Sequence, residues 1–231
     1  MKFEPGEKWV YTQSGINAAA RVVEVVSGRS FDVFVRERLF DPLGMSDTTF
    51  VLSAAQRERL ATAYARDRDG GLAAVPLRAG FGDRDRPPLA NGGLFSTGHD
   101  YARFCRMLLG QGVLEETRVL SEDAVRTLST IQTGAMPTGF FQRESQGGHG
   151  HNYGWGIGTC VLREPHEGVA AMLSPGSYGH GGAWGTQAWI DPRRRVAYIL
   201  MVQRSNFPNS DGSGVRQAFQ EAAAAALSSR R

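Results

Sequence analysis

The stretch Gly-His-Gly-Gly-Ala-Trp-Gly-Thr, residues 179–186, lies in the last third of the 231-residue chain and places a histidine inside a predicted strand. Around it, short apolar runs alternate with turn residues, and this pattern indicates an antiparallel sheet. Strands are predicted over 153–162, 176–184, 186–190 and 195–203, with a tight hairpin turn at 191–194 and a closing helix over 215–227.

The preceding part of the chain is predicted to be mainly helical. Apolar residues recur at helical spacing from Ile16 to Val26 and from Phe31 to Phe40. Capping boxes at Ser53 and Thr97, and an N-cap at Ser121, predict three more helices, and a hairpin is predicted between 61–67 and 72–77. Helices followed by an antiparallel sheet and a final helix favour an α+β fold, with the helices packed on the sheet.

The composition is that of a folded domain, because 41% of the residues are hydrophobic and 21% are charged. We expect a single domain over residues 1–231. Within it, residues 1–152 form a mainly helical part with a hairpin, and residues 153–231 form the sheet strands and the C-terminal helix.

The charge pattern argues against nucleic acid as a partner. The net charge is +3, and the basic residues are spread along the chain rather than interleaved with aromatic residues in a stripe. No apolar run approaches the roughly 18 residues of a membrane span, so we expect no membrane partner. The N-terminus has no signal-peptide core, so the chain as it stands is expected in the cytoplasm, while the compartment of a longer parent protein stays open.

The two cysteines do not form a disulfide framework. Cys105 and Cys160 both lie in apolar stretches, which predicts buried thiols. The His149-Gly150-His151 segment has no carboxylate or cysteine at ligand spacing, so we interpret it as loop histidines and expect no metal and no cofactor.

Several segments together resemble the serine β-lactamase and penicillin-binding-protein superfamily, nearest to its class C and esterase-like serine hydrolases. The strongest are residues 5–15 and 179–186, the first of which contains Tyr11-Thr12-Gln13. Weaker matches occur at 27–31, 41–50, 92–101, 153–156 and 190–192. They follow the family order, so the resemblance covers essentially the whole chain and implies a β-lactamase-like fold.

The resemblance implies roles for two motifs. Tyr11-Thr12-Gln13 resembles the family's Tyr-x-Asn motif, and Tyr11 matches the tyrosine that carries a proton to or from the nucleophile and the leaving group. A phenol with a pKa of about 10 is a poor base at pH 7, so it needs a nearby cation. Gln13 matches the amide that positions substrate, although its side chain is one methylene longer than asparagine.

The second motif, His180-Gly181-Gly182, resembles the histidine form of the family's Lys/His-Thr/Gly-Gly strand motif. By resemblance, His180 binds substrate and sets the electrostatic field around the tyrosine. The two glycines let substrate approach the backbone. Ala183 follows the motif, where the family supplies one backbone N–H of the oxyanion hole. Trp184, with Trp155 and Tyr178, is a candidate to line an apolar cleft.

The family's third motif, Ser-x-x-Lys, does not occur in the sequence. The only lysines are Lys2 and Lys8, and the residue three positions before Lys8 is Pro5. Because the family places this motif upstream of its tyrosine motif, the resemblance implies a C-terminal portion without the first strands and most of the helical subdomain. The strand at 195–203 would then be unpaired on one side, and we expect homo-oligomers through it.

Three functional hypotheses remain open. The chain is a hydrolase of small esters, amides or lactams that uses another nucleophile, for which the candidates are Ser14, Ser96, Ser174 and Ser177. Alternatively, it is a truncated homologue that binds ligands without turnover. In the third hypothesis it is one half of a complemented hydrolase, and a separate chain supplies the Ser-x-x-Lys segment.

Overall fold

A computed structural model describes residues 3–77, 80–138, 151–205 and 214–228. The chain divides into two compact units. The first, here called the sheet unit, comprises Met1–Tyr11, Leu120–Val202 and Asn206–Arg231, and the second, the helical unit, comprises Thr12–Val119 and Gln203–Ser205. The single domain over 1–231, with its parts at 1–152 and 153–231, stays a prediction.

The elements run in the following order. The helices are α1 (Gln13–Ser27), α2 (Phe31–Val35), a π-helix (Arg36–Phe40), α3 (Asp41–Leu43), α4 (Ala54–Glu58), α5 (Gly98–Leu109), α6 (Glu122–Ser129), a 3-10 helix (Gly168–Met172) and α7 (Gly214–Ser228). The strands are β1 (Ala63–Arg66), β2 (Leu72–Val75), β3 (Val113–Leu114), β4 (Thr117–Arg118), β5 (Tyr153–Trp155), β6 (Cys160–Leu162), β7 (Tyr178–Gly181), β8 (Gln187–Asp191) and β9 (Val196–Leu200). None of the described helices combines the length and the apolar character that crossing a membrane requires.

The helical unit follows the predicted helix starts closely. α1 begins where the Thr12 side chain accepts a hydrogen bond from the backbone N–H of Gly15, and it ends at Gly28 in the left-handed conformation (φ 68°). Its apolar spacing predicted the helix correctly but not a continuous buried face, because Ala20 is buried while Val26 is 82% exposed. In the second predicted helix, the last five residues form a π-helix rather than an α-helix.

One of the two predicted capping boxes is complete. Ser53 and Gln56 exchange both hydrogen bonds at the start of α4. At α5 only half of the box forms, since the Thr97 hydroxyl accepts from the N–H of Asp100. The Asp100 carboxylate turns away instead and accepts from the N–H of Asp47 and the hydroxyl of Thr48, at 2.8 and 2.9 Å.

The sheet unit contains a five-stranded antiparallel sheet in the order β5-β6-β7-β8-β9. Together with the described helices, this sheet confirms the α+β prediction. The segment 153–162 was predicted as one strand, but it forms the hairpin of β5 and β6, in which Trp155 lies opposite Cys160. The short β3–β4 hairpin was not predicted.

The core of the sheet unit positions β7 and β8. Trp189 is fully buried on β8, and Val169 of the 3-10 helix joins the same cluster. Gly179 on β7 lies opposite Trp189, and a Cβ at Gly179 would stand 2.1 Å from the carbonyl oxygen of Ala188. Glycine at 179 therefore allows the two strands to approach closely, with His180 following in the same strand.

Candidate active site

Tyr11 and His180 meet in the sheet unit although 169 positions separate them in the sequence. The Tyr11 hydroxyl oxygen lies 3.4 Å from Nε2 of His180, and the two ring centroids are 5.9 Å apart. Tyr11 immediately precedes Thr12, the N-cap of α1, and His180 lies within β7. The two motifs that the sequence singled out are thus in contact through their principal residues.

The direction of this hydrogen bond follows from the other ring nitrogen. Nδ1 of His180 lies 2.6 Å from the carbonyl oxygen of Gly181. A carbonyl only accepts, so Nδ1 carries the hydrogen and donates it. In the neutral ring Nε2 then has no hydrogen and accepts, which makes the Tyr11 hydroxyl the donor.

The surroundings favour the neutral form of both groups. Burial lowers the pKa of His180, the hydrogen bond to Gly181 opposes this, and the positive charge of Arg216 lowers the pKa further. Burial raises the pKa of Tyr11 above the ordinary phenol value. At pH 7 the pair is therefore a phenol that donates to a neutral imidazole.

Two tryptophans pack against the pair formed by Tyr11 and His180. Trp9 and Trp155 stack with their centroids 5.1 Å apart, and Trp155 lies 5.7 Å from the Tyr11 ring and edge-on to His180 at 5.5 Å. Tyr11 remains 36% exposed, so its ring is open to solvent on another side. Trp155 was a predicted cleft residue, whereas Trp9 was not predicted, and its position two residues before Tyr11 was the available signal.

The turn after β7 is closed by backbone hydrogen bonds between its own residues. The N–H of Gly182 donates to the carbonyl of Thr186 at 2.7 Å, and the N–H of Gly185 donates to the carbonyl of Gly182 at 3.0 Å. Ala183 is exposed at this turn and Trp184 is half-buried. Glycine is required at 182, because a Cβ there would lie 2.0 Å from Oγ1 of Thr186.

A family model described as "Beta-lactamase" matches residues 1–223. The chain belongs to the β-lactamase family. It is 31% identical over 208 residues to Protein Rv1367c of Mycobacterium tuberculosis, covering 87% of this chain and 50% of that protein. It is 33% identical over 179 residues to penicillin-binding protein 4 of Amycolatopsis lactamdurans, covering 77% of this chain and 42% of that protein.

Solved structures support the same fold. Unliganded simvastatin synthase (LovD) from Aspergillus terreus superposes with a TM-score of 0.79 at 20% identity, over 96% of this chain and 57% of that one. This β-lactamase-family chain spans about half the length of the curated relatives it matches.

Gln13 of the β-lactamase-family chain belongs to the helical unit, where it is the first residue of α1. Its side-chain oxygen accepts a hydrogen bond from the side-chain amide of Asn91 at 2.8 Å. The role that the resemblance implies for this amide, positioning substrate, stays a prediction.

The alternative serine nucleophiles have other surroundings. Ser177 is fully buried, so substrate cannot reach its hydroxyl in the folded chain. The N–H of Ser174 donates to the carboxylate of Asp191, which ends β8. In the helical unit, the Ser96 hydroxyl lies 2.8 Å from that of Thr48, and the Ser14 hydroxyl lies 3.5 Å from that of Thr12.

Metal-ligating side chains do not gather in the described ranges, where no group of three or more His, Cys, Asp or Glu could hold an ion. His149 and Gly150 of the His-Gly-His segment lie outside the described residues. Cys105 and Cys160 are both free and buried, as the sequence predicted.

Proposed function

We propose that this chain supplies the proton-transfer pair and the carbonyl-binding turn of a β-lactamase-like serine hydrolase. The substrates are small esters, amides or lactams, and the reaction proceeds through an acyl-enzyme. The observation that carries the proposal is the contact between Tyr11 and His180, at 3.4 Å, within one compact unit. The penicillin-binding protein among the relatives supports the same reaction class.

The hydrogen-bond directions support a proton relay. The serine hydroxyl gives its proton to the Tyr11 oxygen as Tyr11 passes its own proton to Nε2 of His180. The serine oxygen forms a bond to the carbonyl carbon, and the relay then runs backwards to protonate the leaving group as its bond breaks. Burial disfavours both a free phenolate at Tyr11 and a lasting imidazolium at His180, so the proton remains on His180 only until the relay returns it to the leaving group.

The turn at 182–186 suits the developing oxyanion. We assign to Ala183 the backbone N–H that donates to this oxygen, since Ala183 is exposed next to the histidine motif. Gly181 and Gly182 let substrate lie along the strand, and Trp184 lies within the turn. Fixed backbone donors stabilise the transition state because they require no reorientation as charge develops.

The nucleophile is assigned outside these 231 residues. The sequence contains no Ser-x-x-Lys, and burial excludes Ser177. We therefore assign the attacking serine to a Ser-x-x-Lys segment, carried either by the same longer polypeptide or by a separate chain. The relatives, about twice as long as the matched region, have room for such a segment.

Ligand binding without turnover is the second candidate. The half-buried Trp9, which stacks on the buried Trp155, and the partly exposed Tyr11 offer an apolar surface that needs no nucleophile. A ligand that shifts the NMR signals of these rings without being consumed, even when a Ser-x-x-Lys segment is present, would favour this candidate.

The experiment uses a labelled fluorophosphonate and a labelled penicillin, with mass mapping of the adduct. The chain alone is expected to stay unlabelled. The DNA upstream of Met1 and co-purifying chains are searched for a Ser-x-x-Lys segment, and with it present we expect labelling at its serine. Tyr11→Phe should then lower the labelling rate at least about 100-fold, as loss of general acid–base catalysis does. Labelling that is unchanged by Tyr11→Phe and His180→Gln would contradict the proposal.

A further inference from the structure

Arg216 is a fully buried arginine on α7, the helix that closes the chain. Most of the helix is alanine and other uncharged residues, and no sequence pattern connects it with the histidine motif. Burial of a charged guanidinium is costly unless its hydrogens are bonded, so its partners carry information about its role.

Two hydrogen bonds of Arg216 reach the two ends of the turn that follows β7. Its Nη2 donates to the carbonyl of Gly182 and to the carbonyl of Thr186, each at 3.2 Å. The same two residues are joined by the backbone bond from the N–H of Gly182 to the carbonyl of Thr186. Nη2 of Arg216 therefore links the first and the last residue of the 182–186 turn.

The braced turn adjoins the group that orients His180. Gly181, whose carbonyl accepts from Nδ1 of His180, is followed directly by Gly182, whose carbonyl accepts from Arg216. A shift of the Gly182 peptide rotates the neighbouring Gly181 peptide, because adjacent backbone units share a Cα. The orientation of the imidazole thus depends on the hydrogen bonds of Arg216, because the carbonyl that accepts from Arg216 and the carbonyl that accepts from His180 belong to neighbouring peptides.

We propose that Arg216 is a positioning residue that holds the 182–186 turn, and through Gly181 holds His180 with Nε2 directed at Tyr11. The inference about orientation stands on contacts within the sheet unit, while its consequence for catalysis rests on the proposed function. Its described hydrogen bonds reach the backbone of the turn rather than the rings of Tyr11 and His180, while its positive charge separately lowers the pKa of His180.

The test compares the tautomer of His180 in variants of the full chain. Long-range ¹H–¹⁵N NMR spectra report which ring nitrogen carries hydrogen, and the His180→Gln spectrum assigns the signal. Arg216→Lys keeps the charge but carries its nitrogen one bond closer to the helix backbone than Nη2, and Arg216→Gln removes the charge. Both are expected to turn the single Nδ1–H signature into a mixture of tautomers.

Two controls separate positioning from general loss of structure. Gln217→Ala changes an exposed neighbour on the same helix. Val169→Ala removes buried volume from the core cluster around Trp189, which contains no residue of the 182–186 turn. Both should keep the wild-type tautomer signature. A wild-type signature in both Arg216 variants, or a mixture in Val169→Ala, overturns the proposal.

A measurement on the unmodified protein keeps the proposal testable if both Arg216 variants fail to fold. Low-temperature ¹⁵N spectra should show hindered rotation about the Cζ–Nη bonds of Arg216, because Nη2 is held by two carbonyls. Freely rotating, averaged Nη signals overturn the proposal.

Activity provides a separate readout when the Ser-x-x-Lys segment is supplied. Arg216→Lys should lower kcat about tenfold or more while KM changes about twofold or less, since misplacement of a catalytic group affects the chemical step. If the wild type shows no turnover, the proposed function fails, yet the tautomer comparison still decides the role of Arg216.

Discussion

The carbonyl oxygen of Gly181 lies 2.6 Å from Nδ1 of the adjacent His180, and this contact decides which ring nitrogen faces Tyr11. Because the backbone carbonyl accepts the hydrogen of Nδ1, the other nitrogen of the neutral ring, Nε2, has no hydrogen and is an acceptor. The donor–acceptor direction of the hydrogen bond between Tyr11 and His180 is thus set by the main chain of β7, not by a charged side chain.

The first prediction concerns pH. Since burial lowers the pKa of His180, NMR titration should place it below the ordinary histidine value of about 6.5. Below about 6.5 the unfolded chain binds this proton more readily than the folded chain, so stability is complete above that pH and falls on acidification.

Urea unfolding at pH 8 and pH 5 measures this loss. The decrease should be smaller in His180→Gln, which has no group to titrate at this position. An equal decrease in the wild type and in His180→Gln would show that His180 does not contribute to the pH dependence.

The second prediction concerns the fit between Gly182 and Thr186. Gly182→Ala places a Cβ 2.0 Å from Oγ1 of Thr186, so we expect a loss of stability of about 1–3 kcal/mol. Thr186→Ala removes that oxygen, and the next atom, Cβ of Thr186, is at 3.4 Å. The double variant should therefore recover most of the loss in a double-mutant cycle.

Gly179→Ala is the matched comparison. Its added Cβ would lie 2.1 Å from the backbone carbonyl oxygen of Ala188, which no side-chain substitution removes. Thr186→Ala should not rescue it. Equal rescue of both glycine variants would mean that the Gly182–Thr186 contact is not the cause of the loss.

The third prediction concerns the edge of the sheet. β9 lies at one end of the strand order, and Met201, just beyond it, is 42% exposed. An apolar edge strand is a template for pairing, so we expect the strand region 195–203 to mediate homo-oligomers. Light scattering should show more than one chain per particle, and Met201→Lys should shift the distribution towards monomer.

Leu227→Lys is the control for that shift, since Leu227 is similarly exposed, at 40%, but lies on α7. It should leave the particle mass unchanged. A monodisperse monomer whose backbone amides at 195–203 are strongly protected from hydrogen exchange contradicts the prediction.

The fourth prediction concerns the cysteines. Burial raises the pKa of the Cys105 thiol to about 12, and Cys160 is fully buried. Because the thiolate is the reactive form, neither should react with a disulfide reagent until the chain is unfolded. Ser14→Cys, at an exposed position, should react at once. Rapid reaction of two thiols in the native wild type would contradict this expectation.

Local patterns predicted the helices and the main strands well. α1, α5 and α6 begin after hydroxyl side chains that accept a hydrogen bond from the first turn, which is a short-range interaction that residue type and spacing reveal. The α+β class followed from the order of such elements. At 153–162 the apolar pattern did not predict the chain reversal between β5 and β6, because Gly158 (φ 78°) allows a tight turn that such a pattern does not display.

Contacts between distant segments were harder to predict. The Asp100 carboxylate was expected in its own capping box, yet it bonds to Asp47 and Thr48, more than 50 positions away. Nothing in the local sequence of α7 indicated that Arg216 donates hydrogen bonds to both ends of the turn at 182–186. Such partners depend on how the elements pack, and packing is not encoded in any short window.

Residue types and their spacing were enough to place Tyr11 and His180 in motifs of one family and to show that no Ser-x-x-Lys occurs. They could not show that the two rings touch or which ring nitrogen accepts. Those features depend on tertiary structure, because a contact across 169 positions forms only when strands, turn and helix pack together. The packed chain then sets the chemistry through burial and through the carbonyl that orients the imidazole.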